Sequence, residues 1–158
     1  RKIFFSTAQE RLQGYRSAYE KENLPVRESL IYHGDYTIQG GVRGIEKLVA
    51  DNPDMTAVFV TNYEMTMGAV IGMNELDLKI PEQLSMIGFD NLQFARACSP
   101  KLTIVAQPTS GIAREVASIM LKRLGEAESE ETEPITEKLG AEIIMGKSVR
   151  VLKEKENS

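Results

Sequence analysis

The sequence predicts an α/β fold, a mostly parallel sheet with helices on both faces. Three observations carry that expectation. Short apolar runs without polar alternation recur, as at Thr56-Ala57-Val58-Phe59-Val60, and such runs suit strands covered on both faces. Between them lie longer stretches whose apolar residues fall at helical spacing. Strand and helix signals alternate along the chain, which favours parallel pairing through helical crossovers.

Lys2-Ile3-Phe4-Phe5 makes a short first strand, and the chain begins there abruptly, as if cut from something longer. From Ala8 to about Glu22, Leu12, Tyr15 and Tyr19 recur on one face with charges opposite, an amphipathic helix closed by Asn23-Leu24-Pro25. Ser29-Leu30-Ile31-Tyr32-His33 is a second strand, stopping at Gly34-Asp35. After Gly40-Gly41, Val42, Ile45, Leu48 and Val49 mark a second helix, ended by Asp51-Asn52-Pro53-Asp54. Thr56 to Val60 is the third strand and Met65 to Leu76 the third helix. Ile80-Pro81 breaks the chain before a fourth strand, Leu84 to Ile87, and Leu102 to Val105 is a fifth. Ile112, Val116, Ile119 and Leu124 give a fourth helix. The acidic run from Glu126 to Glu133 reads as a solvated linker. Two short strands, about Glu142–Met145 and Ser148–Leu152, precede a charged tail.

Composition narrows the class. A chain of 158 residues buries roughly 70% of its unfolded surface, enough for one domain or one lobe with appendages. Apolar and charged contents of 42% and 27% are those of an ordinary soluble globular protein. A net charge of -4 provides no general field for nucleic acid. The single cysteine, Cys98, excludes an internal disulfide and suits a reducing compartment. No apolar run reaches ~18 residues, and the N-terminus lacks the apolar core of a signal peptide. A cytoplasmic domain is the expectation.

The third helix carries two apolar stripes. Met65, Ala69, Met73 and Leu76 form one, while Met67, Val70 and Ile71 lie on other faces. One stripe docks a helix on its sheet. The second points to another subunit, and methionine suits such contacts; the alternative is a core helix with a wide apolar face.

Polar and aromatic residues gather where strands end, the edge at which open α/β sheets bind ligands. The second strand ends in His33-Gly34-Asp35-Tyr36, the third in Thr61-Asn62-Tyr63, the fourth in Gly88-Phe89-Asp90-Asn91, and Arg11 follows the first. Asp90 accepts from hydroxyls, Asn62 donates and accepts, and Arg11 offers a planar fork of donors. Tyr36 offers a flat face for a sugar ring. Each has a structural alternative: Arg11 pairing with Glu10 or Glu22, Asp90 capping a turn, Asn62 capping the third helix. Catalysis has little support. His33 is the lone histidine, no nucleophile elbow, phosphate loop or dinucleotide fingerprint occurs, and one Cys with one His cannot build a transition-metal site. No cofactor and no metal are expected.

At these residues the sequence resembles the effector-binding domain of the LacI/GalR family of bacterial transcription regulators. The motifs are Glu10-Arg11-Leu12-Gln13-Gly14-Tyr15-Arg16, Gly34-Asp35-Tyr36, Ala57-Val58-Phe59-Val60-Thr61-Asn62, Ile80-Pro81-Glu82, Ile87-Gly88-Phe89-Asp90, Pro100-Lys101-Leu102-Thr103 and Gln107-Pro108. The resemblance implies a periplasmic-binding-protein-like fold, two lobes around a cleft holding a sugar or sugar phosphate. It implies effector contacts at Arg11, Tyr36, Asn62 and Asp90, with Tyr63 and Gln107 as further candidates. It also implies a homodimer through the third helix and the loop from Asn91 to Pro100, with Met65, Met67, Val70, Ile71, Phe94 and Cys98 at the interface. Residues 1–101 correspond to the C-terminal lobe, and 102–158 to a crossover strand, a helix of the other lobe, the acidic linker and the last strands. The sequence departs from the family in having Tyr63 where Asp is usual, a very short Ser6-Thr7 connection, and no helix-turn-helix headpiece. DNA would therefore be contacted only through a headpiece outside this chain. The apolar face of Ile112, Val116 and Ile119 must then repack, pair with a second chain or stay exposed. The rival expectations are a transport-type sugar-binding protein of the same fold and, from another class, a flavodoxin-like enzyme.

Overall fold

The computed structural model describes residues 3–125 and 134–151. Its centre is a four-stranded sheet in the order β1-β2-β3-β4, formed by Ala57–Phe59, Ser85–Phe89, Thr103–Ala106 and Glu142–Ile144. The first three strands run parallel, with Val58 opposite Met86 and Ile87 opposite Thr103, and β4 closes the edge antiparallel, with Ile104 opposite Ile144. Around the sheet lie α1 (Ile3–Lys21), α2 (Ile38–Asp51), α3 (Tyr63–Glu75), α4 (Leu92–Ala97) and α5 (Thr109–Gly125). A mostly parallel α/β sheet was the expectation, and the alternation of elements from α2 to β3 explains it, since each parallel step needs a crossover.

The core forms where these layers meet. Ile45 of α2, Ala69 and Met73 of α3, Met86 of β2 and Ile104 of β3 are buried in one apolar cluster. β2 is sealed along almost its whole length, as a central strand of a covered sheet should be. Side-chain caps start the helices: Thr37 accepts from the Gly40 N–H, Asn62 from Met65 and Asn91 from Phe94. Ser148 is fully buried beside β2, accepting from the Thr103 N–H at 2.8 Å and donating to the Met86 carbonyl at 2.6 Å.

Several expectations need correction. Ile3–Phe5 are helical, not a strand, and α1 runs unbroken through Ser6-Thr7. No glycine or proline separates the apolar run from Ala8-Gln9-Glu10-Arg11, and helix propagation gains a hydrogen bond for each residue added. The expected strand at Ser29–His33 is a single 3-10 turn over Glu28–Leu30 followed by unpaired chain. Among the described residues, no strand lies beside it to complete a ladder. Residues 148–151 lend Ser148 O to the Met86 N–H but form no strand, and Leu152 lies outside the described residues, as does the acidic run 126–133. The short helix α4 occupies what reads as loop; the Asn91 cap after β2 starts it. On α3 the buried face is Thr66, Gly68, Ala69, Gly72 and Met73, while Leu76 is exposed. The α5 face stays open, with Ile112 and Val116 exposed and none of the helix buried.

Candidate functional site

The carboxyl ends of β1, β2 and β3 lie side by side, and the residues that follow them meet there. Arg11 reaches across from α1. Its guanidinium donates to the Thr61 carbonyl, at the end of β1, and its Cζ stands 4.1 Å from the Phe89 ring centroid, at the end of β2. That stacking is worth about 0.5–2 kcal/mol and fixes the fork in one plane, leaving its other donors for a ligand. Neither Glu10 nor Glu22 pairs with Arg11 among the hydrogen bonds of the described residues. Sequence reasoning missed Phe89 and the Thr61 carbonyl; the aromatic before Asp90 was visible, but its partner on α1 was not.

Asp90 follows directly. Its carboxylate accepts from the Gln107 backbone N–H at 3.0 Å through one oxygen and from Gln107 Nε2 at 2.6 Å through the other. Gln107, just past β3, therefore holds Asp90 in orientation. A carboxylate has about four acceptor positions, so roughly two remain for hydroxyl groups. The backbone at Asp90 (φ 56) and Asn91 (φ 48) is left-handed, which turns the chain sharply from β2 into α4. Asp and Asn tolerate that conformation better than other side chains.

Tyr36 is a stronger case. An aromatic residue at φ 63 is a backbone outlier, and outliers of this kind cluster at functional sites. The preceding Asp35 holds the turn. It accepts from Thr37 N at 3.1 Å, Thr37 Oγ1 at 2.6 Å and Arg43 Nη2 at 2.6 Å. The Thr37 hydroxyl, then its N–H and Arg43, keep the Asp35 carboxyl below the usual range. Asp35 is thus a structural residue that fixes where the exposed Tyr36 ring stands.

Asn62 does what the structural alternative anticipated: its Oδ1 caps α3, 2.9 Å from the Met65 N–H. That leaves the Nδ2 donors without a partner among the described residues. Arg11, Tyr36 and Asn62 line one groove of about 700 Å³ between α1, the 30–36 segment, α2 and β1. Asp90 and Gln107 sit outside that groove, joined to it through Phe89 beneath Arg11. The groove wall is mostly apolar and includes Tyr15, whose phenol is pushed up to about 12 by burial and by Tyr19.

The remaining candidates divide between the groove and the outer surface. Tyr63 packs edge-on against Phe94, centroids 6.2 Å apart at 76°, which ties α3 to α4 rather than pointing at the strand ends. Met67, Val70 and Cys98 are half-buried and Ile71 is exposed, and burial raises the Cys98 thiol above its ordinary value. Met65 turns inward instead, lining the groove and lying against Gly34, where an added Cβ would meet its Cε at 2.1 Å.

Residues 3–149 match the family described as the periplasmic binding protein-like domain. Catabolite control protein A of Priestia megaterium is 37% identical over 112 residues, covering 71% of this chain and 34% of that protein. The HTH-type transcriptional repressor PurR of Yersinia pestis is 36% identical over 114 residues, covering 72% and 33%. The chain spans about a third of the length of these curated relatives. Among solved structures, a transcriptional regulator CelR–cellobiose complex superposes with TM-score 0.78 at 32% identity, covering 88% of this chain and 42% of that one. A LacI family regulator from Enterococcus faecium with bound ribose superposes with TM-score 0.77 at 29% identity, covering 90% and 52%.

Proposed function

The chain belongs to the periplasmic binding protein-like domain family, in the form carried by LacI/GalR-type transcription regulators, and from that premise we propose that it is the effector-sensing part of a sugar-responsive regulator. The observation that carries this reading is the junction built by Arg11, Phe89, Asp90 and Gln107, where a donor fork and an oriented carboxylate stand at adjoining strand ends. A small carbohydrate, or a sugar phosphate held by the Arg11 fork, would lie over these ends. Asp90 accepts from its hydroxyls, the free Asn62 amide donates, and Tyr36 covers a ring face. The relatives with cellobiose and ribose support a sugar as the ligand class. The reading is of a binding module, not an enzyme, working in the cytoplasm.

In this account residues 1–101 form one lobe of a two-lobed domain. Residues 102–158 add β3 and β4 to its sheet and carry α5 away toward the other lobe, which explains the bare apolar face of Ile112 and Val116. Dimerisation uses the outer face of α3 with α4, through Met67, Val70, Ile71, Phe94 and Cys98. DNA is contacted by a headpiece outside these residues. Signalling is a population shift: effector bridging both lobes favours one cleft geometry, by no more than its differential affinity for the two geometries. With one lobe's contacts alone, binding is weak.

A thermal-shift series with mono- and disaccharides, sugar phosphates and nucleosides tests the reading. A ligand at twenty times its dissociation constant stabilises by about 1.8 kcal/mol, or roughly 4–7 °C for a chain of this size. One sugar class should raise the transition in the parent chain and fail to do so in Asp90→Asn. Stabilisation by nucleosides alone, or an unchanged response in Asp90→Asn, would overturn it.

A further inference from the structure

Thr66 lies in the first turn of α3 and is sealed from water, with 1% of the residue exposed. Its Oγ1 donates to the Asn62 carbonyl at 2.7 Å and accepts from the Phe89 N–H at 3.2 Å. The first bond is local, a hydroxyl closing back on the preceding turn of its own helix. The second crosses from α3 to the end of β2. We propose that Thr66 is a positioning residue of the binding site, fixing Asn62 and the Phe89–Asp90 step relative to each other. The inference rests on the sugar-binding reading, because those are the groups that reading places against the ligand.

The sheet ladder explains why a side chain is needed there. The last bond between β1 and β2 runs from the Val60 N–H to the Ile87 carbonyl at 2.9 Å. Backbone groups of alternate residues share one side of a strand, so the Phe89 N–H comes next, beyond that last rung. A buried N–H left unpaired is costly, and the Thr66 hydroxyl takes it. Gly88 gives the room: a Cβ on it would lie 2.5 Å from Thr66 Cγ2. Phe89, held in this way, carries the Arg11 guanidinium 4.1 Å from its ring centroid, and Asp90 is the next residue. At the other end, the Asn62 carbonyl also accepts from the Thr66 N–H at 3.0 Å, while Asn62 Oδ1 caps Met65 at 2.9 Å. One hydroxyl thus joins the amide side of the site to its stacking platform and its carboxylate.

Thr66→Val removes the hydroxyl and keeps the shape, and Thr66→Ser keeps the hydroxyl. Thr66→Ala also removes it, without a branched side chain, should valine disturb the helix. Thr103→Val is the control: its hydroxyl is equally buried and accepts from the Gly146 N–H at 3.0 Å, but it lies at the start of β3, away from the site. NMR of the full chain reads the Arg11 side-chain N–H signals, which the Phe89 ring displaces; titration with cellobiose and with ribose reads affinity. In Thr66→Val and Thr66→Ala the Arg11 signals should move, and sugar should bind at least about fivefold more weakly. Thr66→Ser and Thr103→Val should match the parent chain in both. Parent-like signals and affinity in Thr66→Val and Thr66→Ala overturn the proposal. So does an equal loss in Thr66→Ser or Thr103→Val, since methyl packing or global stability would then be the cause. Should neither sugar bind the parent chain, the sugar reading fails on its own, and the Arg11 signals still decide whether Thr66 positions Phe89.

Discussion

Replacing Gly68 by alanine adds one methyl group at the closest approach of α2 and α3. A Cβ there would lie 1.9 Å from the Ile38 carbonyl oxygen and 2.9 Å from Gly41 Cα. Non-bonded contacts settle at roughly 3.5–4.0 Å, so the two helices must part by more than about 1 Å. Both offending groups are backbone and cannot rotate aside. Overpacking of this kind costs about 1–3 kcal/mol, and the rigid partners place Gly68→Ala at the upper end. Helix propensity works the other way, since alanine exceeds glycine by about 1 kcal/mol in a helix interior. The net loss is about 2 kcal/mol, or roughly 4–8 °C in melting temperature at this chain length. Gly14 on α1 provides the control, because nothing lies within 4 Å of its Cβ position. Gly14→Ala should therefore stabilise, by up to about 1 kcal/mol. Urea and thermal unfolding of the two variants read the difference directly. A neutral or stabilising Gly68→Ala, matching Gly14→Ala, would refute the claim that glycine is required by close approach of the helices.

Asn52, 2% exposed, accepts from Ser29 Oγ at 2.7 Å and donates to the Ser29 and Leu48 carbonyls at 2.9 and 3.1 Å. Asn52→Ala strands these groups and should cost about 1–3 kcal/mol in urea unfolding; an unchanged midpoint would contradict it. Acid should destabilise the fold. Arg16 lowers the Glu28 carboxyl, Arg27 lowers Asp54 and the Thr37 hydroxyl lowers Asp35, from ordinary values of 4.5, 3.8 and 3.8. A depressed folded-state value means the unfolded chain binds protons first, so this stability is present above about pH 4.5 and lost as pH falls through the folded values. Melting temperature should fall below about pH 4, less steeply in high salt because these groups are exposed; a rise on acidification would reverse the sign. Sedimentation of Ile71→Glu beside the parent chain checks the outer face of α3: the variant should be monomeric where the parent is dimeric, and identical sedimentation would dismiss that interface.

Much of the sheet was legible because its strands announce themselves locally. Thr56–Val60 and the run behind Ile80-Pro81 are apolar, β-branched and bounded by breakers, and both became strands within a residue or two. The helix over Val42–Val49 followed from its apolar period, though its start at Ile38 depends on the Thr37 cap. Ile3–Phe5 and Ser29–His33 failed for one shared reason. Their sequences suit strands, but a strand needs a neighbour in register, and local pattern cannot report whether one is at hand. The first stripe of α3 was only partly right for a related reason: glycines 68 and 72 let α2 approach so closely that the buried face takes in Thr66, Gly68 and Gly72, while Leu76 stays exposed. At the site, residue types at strand ends were readable from spacing. The geometry was not. That Arg11 would stack on Phe89, or that Gln107 would grip both oxygens of Asp90, depends on contacts between residues 78 and 17 positions apart.

An NMR titration tests the central claim most directly, because it reports weak binding residue by residue. Adding a monosaccharide or disaccharide to millimolar excess should shift the amides of Arg11, Asn62, Asp90 and Gln107 along a single isotherm, with the Gln107 side-chain amide among them. Gln107→Ala should weaken that isotherm without altering the rest of the spectrum. Shifts confined to surfaces remote from the ends of β1, β2 and β3, with those four residues unmoved across every sugar class, would contradict the account.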